Sequence, residues 1–274
     1  MQMHDRQSGT VAERIRRTLD LLTPTERKPA QMLLAQYPFA GLETVAQFAK
    51  RSGVSGPTVL RLIGKLGFAG YADFQRVLRD ELQAQIQSPL TKKHSTAPKG
   101  AAGHDFLDRF AKSVIGNIRN SVNSVPRAEF QAVVELLADR RRPVYLLGGR
   151  FTDPLAVYLC RHLRALRPGI EHIEGQYTAW LDYLLDMGKR DVLVVFDVRR
   201  YQQDLVRFAE QAAGRGVTVV LFTDQWLSPV GRFAKHVFPL RVEVPSSWDS
   251  AAATVALVEV LIAGVNEACW GKVK

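Results

Sequence analysis

Along the first 86 positions apolar residues recur at every third or fourth place, the spacing of amphipathic helices. Ile15, Leu19 and Leu22 mark one such face, and Thr23-Pro24-Thr25-Glu26 opens a second helix as a capping box with proline at its first position. That helix is expected to run to about Gln36, and further helices are predicted over 44–51, 56–66 and 71–86, with Gly53, Gly67 and Gly70 between them. The stretch from Ser88 to Gly100 is polar, basic and interrupted by proline, without hydrophobic period, and reads as a linker spanning 87–104. Beyond it Leu107, Phe110, Ala111, Val114, Ile115, Ile118 and Val122 share one helical face, and another helix is expected from Ala128 to Asp139.

From Pro143 the pattern changes to short apolar runs between helical segments. Strands are expected at VYLLGG, HIE, DVLVVFDV, VTVVLFTD and HVFPLRV, with helices near 154–166, 177–187, 203–213 and 249–267. Runs such as VLVVF have no polar face, so they suit strands covered on both sides, and their alternation with helices implies a mainly parallel sheet. The expected fold is therefore an all-α domain over 1–86, the linker, and an α/β domain over 105–274. Two domains also suit 274 residues.

Charge adds a partner. The net charge is +10, and residues 1–100 hold 15 Lys/Arg against 8 Asp/Glu, so the excess sits in the helical part. A basic module attracts phosphate backbones by releasing counterions. The sequence contains no uninterrupted apolar run of membrane-spanning length, and its first ten residues lack the apolar core of a secretory signal; a cytoplasmic protein is expected. Cys160 and Cys269 fit no metal spacing and no disulfide framework, so they read as packing residues, and neither a metal nor a cofactor is implied.

The most specific pattern lies between Thr44 and Leu66. One helix ends near Ser52, Gly53 allows a tight turn, Ser55 can cap a second helix, and Pro57 is tolerated in its first turn. Val59, Leu62, Ile63 and Leu66 would pack inward against Phe48 and Ala49, leaving Ser55, Gly56, Thr58, Arg61 and Lys65 outward. That is a helix-turn-helix with a recognition helix for the major groove, where Arg61 and Lys65 are the first contacts to name and Thr44 lies at the start of the preceding helix.

The tract GVSGPTVLRLIGKLGFAGYADF resembles the recognition helix and following turn of RpiR/MurR-type transcriptional regulators, with Pro57 where a small residue is more usual. The resemblance implies a second half built as a flavodoxin-like SIS (sugar-isomerase) domain, and 143–268 has the matching order of strands. It also implies a DNA operator, a homodimer or homotetramer, and a phosphosugar or sugar-acid effector held by the loops after the first and third strands. Gly148 and Thr152 suit the first loop, whereas Arg150 stands in place of a glycine. In the second loop Asp197 and Arg199 fall where serines are usual, Arg200 at a glycine and Gln202 at a threonine. Two readings follow: the arginines grip an anion, or Asp197 pairs with an arginine and closes the site. Ser246 and Ser247 are weaker ligand candidates, and Trp226 can wall a pocket or fill the core.

Competing functions are an isomerase with a helical extension, a DNA-coating protein without effector, and a regulator whose SIS domain is degenerate. An isomerase needs a general base. Glu171, His172 and Glu174 alternate along a short strand, and His162 stands alone on a helix, so none forms an evident catalytic group.

Overall fold

The structure, a computed structural model, describes residues 10–86 and 104–270. All but the last residue of the expected linker lies outside them. The chain divides into two compact units, Met1–Gln87 with Gln225–Arg232, and Ser88–Asp224 with Phe233–Lys274.

The first unit is helical: α1 (Val11–Thr18), α2 (Pro24–Ala35), α3 (Val45–Ser52), α4 (Gly56–Lys65) and α5 (Tyr71–Ile86). Thr10, Thr23 and Thr44 each close a capping box, with Glu13, Glu26 and Gln47 at the third position, so three helix starts satisfy their own free N–H groups locally. Phe48, Val59, Leu62, Ile63, Leu66, Phe74 and Leu78 form its dry interior, each worth roughly 1.5–3 kcal/mol when fully buried.

The second unit carries β1 (Val144–Gly148), β2 (Ile170–His172), β3 (Val192–Asp197), β4 (Thr218–Asp224) and β5 (His236–Leu240) in one sheet of order β2-β1-β3-β4-β5. Every pairing is parallel. Its helices are α6 (His104–Ser124), α7 (Arg127–Ala138), α8 (Asp153–Leu166), α9 (Tyr177–Asp186), α10 (Gln203–Gly214) and α11 (Ala252–Trp270). Side chains alternate across the sheet as strand geometry requires. Val192, Val194 and Phe196 join Val220, Phe222 and Phe238 in a core with α7, α8 and α11. Across three strands Phe196 stacks on Phe222 at 4.8 Å, and Phe222 meets Phe238 at a tilt at 5.1 Å. All six residues of β3 are buried, which explains its unbroken apolar run.

Boundaries differ from expectation most at two elements. β2 pairs as Ile170–His172 rather than as His172–Glu174, because Gly169, at φ +73°, completes the turn and Ile170 falls opposite Val144. α11 begins at Ala252, after Ser250 accepts the Ala252 N–H, so residues 245–251 are free to shape a loop. By length and composition α11 is apolar enough to cross a membrane, with a window of mean hydropathy 1.6. Leu257, Val258, Leu261 and Val265 nevertheless belong to the sheet core, which is the packing of a core helix.

Candidate functional site

In the first unit α3, Gly53 and α4 form the expected hairpin. Gly53 sits at φ +63°, ψ 38°, a left-handed conformation that suits glycine, and its N–H closes α3 onto Ala49 and Lys50. Val59, Leu62, Ile63 and Leu66 turn inward with Phe48 and Ala49. Outward stand Thr44, Ser55, Pro57, Leu60, Arg61 and Lys65, with Gly56 half-buried and Lys50 and Arg51 exposed at the end of α3.

Three details depart from the sequence reading. Thr58 is buried at 4% exposure, because the turn of α4 that carries Val59 inward takes it along. Its hydroxyl pairs with Ser55 Oγ at 3.0 Å and accepts from Arg61 at 3.1 Å, so it orients Arg61 from within. Ser55 occupies the cap position yet makes no side-chain cap bond, its hydroxyl being engaged by Thr58. Lys65 is exposed on one side but donates to Glu26 at 2.7 Å, a carboxylate only 4% exposed. Burial pushes the Glu26 carboxyl up, but hydrogen bonds from Lys65 and Thr23 outweigh it and hold the pKa below the usual value.

In the second unit the loops after β1 and β3 open, at the carboxyl ends of the strands, onto a cavity of about 410 Å3. Its wall includes Arg150, Thr152, Asp197, Arg199, Arg200 and Gln202. Gly148 lies beneath, where a Cβ would collide with the Asp153 backbone, so its role is close packing of α8 rather than ligand contact. The Thr152 hydroxyl bonds the Phe196 carbonyl at 2.5 Å and the Gly149 N–H at 2.8 Å, and is committed to joining the two loops. Gln202 accepts the Arg150 N–H at 2.7 Å and does the same from the other side.

Arg199 is held internally: its side chain, 3% exposed, meets Asp249 twice at 2.7 and 2.6 Å and Glu243 at 3.5 Å. Burial opposes its charge, but Asp249 more than compensates, and its pKa lies above the usual arginine value. Its N–H also donates to Asp224 at 2.6 Å, beside the Tyr201 hydroxyl at 2.7 Å. Burial, then Asp224, drives that phenol well above the ordinary tyrosine range. Arg199 is thus held in an arginine–carboxylate pair with Asp249 and Glu243, while the cavity stays open. Arg150 and Arg200 are exposed, and neither forms an ion pair with another of the described residues.

Sequence reasoning missed Asp249, Trp248 and Thr254, which the loop before α11 and its first turn bring to the cavity. No motif marks them; only their place after the last strand hints at a site. Trp226 is buried and belongs to the helical unit, whereas Ser247 lines the cavity. His172 is buried between Asp153 at 2.8 Å and Glu174 at 3.4 Å. Among the described residues no group of three or more His, Cys, Asp or Glu could hold a metal.

Residues 9–85 match the rpiR-family helix-turn-helix domain and residues 136–264 the SIS domain. Over 267 residues the chain is 28% identical to the HTH-type transcriptional regulator HexR of Pseudomonas aeruginosa, covering 93% of this chain and 88% of HexR. It is 26% identical over 263 residues to the bifunctional protein glk of Paraburkholderia xenovorans, covering 94% of this chain but spanning only 40% of that protein's length. The sugar isomerase domain of an RpiR transcription factor from Sphaerobacter thermophilus superposes with TM-score 0.53 at 25% identity, over 61% of this chain and 96% of that one. Vibrio vulnificus NanR, solved with ManNAc-6P, superposes with TM-score 0.51 at 18% identity over 94% of this chain and 92% of NanR.

Proposed function

From the chain's membership of the rpiR family of helix-turn-helix proteins with a SIS domain, we infer a DNA-binding transcriptional regulator whose sheet unit senses a small anionic sugar-related metabolite. The hairpin of α3 and α4 carries this reading. A helix of ten residues with Ser55, Arg61 and Lys65 outward fits the major groove, about 12 Å wide, with Arg61 aimed by Thr58 at base edges. Thr44, Ser55 and Gly56 stand at the two helix starts, where backbone N–H groups meet phosphates.

The effector is assigned to the cavity of the sheet unit. NanR is complexed with ManNAc-6P, and a phosphosugar or sugar acid is the class proposed for this chain. An isomerase is the weaker reading: among the described residues the cavity wall contains no histidine or glutamate, and of its two aspartates Asp197 is buried and Asp249 is committed to Arg199. The regulator is proposed to act as a cytoplasmic homodimer or homotetramer on an imperfect palindrome, since one short helix gives little specificity and paired half-sites multiply it. Selection of bound duplexes from a random pool with the full chain, followed by gel-shift titration, tests this. A defined palindrome is expected; binding of every duplex alike, set by salt alone, overturns it.

A further inference from the structure

The cavity assigned above to the effector, on which this inference rests, has an aromatic mouth. Phe151, from the loop after β1, and Trp248, from the loop before α11, meet edge to face with centroids 5.4 Å apart and planes at 69°. They remain 64% and 58% exposed. The Arg150 guanidinium lies over the Phe151 ring at 5.1 Å. Two large aromatics left in water beside a concave site mark a surface that a ligand covers. Leu155, Val198 and Val242 extend the apolar wall inward.

The polar groups available to a ligand are equally specific. Thr152, Gln202 and Arg199 are engaged by the protein itself. At the floor stands Thr254, 1% exposed, whose hydroxyl has no hydrogen-bond partner. A buried hydroxyl left unmatched carries a desolvation cost, which a ligand oxygen would recover. Thr254 lies in the first turn of α11, a helix of 19 residues whose N-terminal end favours negative charge. Arg150 and Arg200 add cationic rims.

We propose that the cavity takes an aryl-bearing sugar phosphate: its phosphate meets the first turn of α11 and Thr254, and its aromatic ring packs on Phe151 and Trp248. An unsubstituted sugar phosphate satisfies the first contact and leaves both rings wet. The usual cradle of small hydroxyls is thereby replaced by one at the opposite lip, with the aromatic mouth setting selectivity.

Titration of the full chain with phenyl β-D-glucoside 6-phosphate, glucose 6-phosphate and inorganic phosphate, read by calorimetry and tryptophan fluorescence, tests this. The phenyl glycoside is expected to bind at least about tenfold more tightly than glucose 6-phosphate, as two aromatic contacts allow. It should also quench the exposed Trp248. W248A and F151A should each remove most of that preference, and T254V should weaken both sugar phosphates. Circular dichroism and thermal melting verify that each variant folds. Equal affinity for the two sugar phosphates, or a preference that survives W248A together with F151A, overturns the aromatic assignment and leaves the sensor intact. Failure of all three anions to bind overturns this proposal and removes support from the sensor reading as well.

Discussion

The hairpin of the helical unit and the loops of the sheet unit both present arginines, but they commit them differently. On α4 the orienting partner of Arg61 is Thr58, three residues away on the same helix, and the guanidinium remains available. In the loop after β3 the partners of Arg199 are Asp249 and Glu243, about 50 residues away, and its charge is consumed. An arginine's neighbours in sequence therefore describe its role when a helix fixes them, and mislead when a loop does.

The comparison is broken most forcefully at Asp249. D249A removes the two closest carboxylate bonds of a buried guanidinium, and should cost the sheet unit about 3–5 kcal/mol, read as a lower urea midpoint. Replacing Arg199 and Asp249 together by leucines should recover most of it; a double variant as unstable as D249A would show that the pair does not act as a unit.

Arg61 lies at the other pole. R61A should leave the melting temperature within error and weaken specific operator binding by about 1–3 kcal/mol, with relaxed preference at one base position. Unchanged specific affinity in gel-shift titration would contradict the assignment.

A third variant blurs the distinction, because Glu26 belongs to the fold and yet holds a residue of the recognition helix. E26Q should cost about 1 kcal/mol at neutral pH, the scale of one lost charge-assisted bond. The Glu26 pKa is depressed, so its contribution is present above the unfolded carboxylate value of about 4.5 and fades as pH falls through the lower folded value. The wild-type helical unit should thus lose stability on acidification over that window, and E26Q should flatten the loss. Parallel pH profiles for the two proteins would remove the Lys65–Glu26 bond from the account.

The smallest effect is expected at Thr58. T58V keeps the buried shape but frees Arg61, and should reduce specific binding by less than about 1 kcal/mol with little change in stability. A loss as large as that of R61A would make Thr58 itself a contact.

Much of the fold was legible because periodicity is local. Strict i, i+3, i+4 spacing located α4 within a residue, and the unpolarised run of β3 announced a strand covered on both faces. Thr58 escaped because its hydroxyl suggested the surface, whereas its position on the helix decided for the interior. The wall of the cavity was half legible: Arg150, Arg200 and Gln202 stand on strand-end loops that the order of strands identifies, but Trp248, Asp249 and Thr254 arrive about 50 residues later, from the loop before α11 and its first turn. Their partnership depends on how β5 leads back into α11, which no local pattern encodes.

One oxygen of Glu26 receives the Thr23 N–H at 2.9 Å, the Thr23 hydroxyl at 2.9 Å and the Lys65 ammonium at 2.7 Å. A single atom is therefore shared between the start of one helix and the end of another, and position 65 is pleiotropic. Any replacement there that retunes DNA preference also unsettles the start of α2. Divergence toward new operators among descendants of this chain should run through positions 55, 60 and 61, whose side chains carry no such second duty, while 26 and 65 change together or not at all.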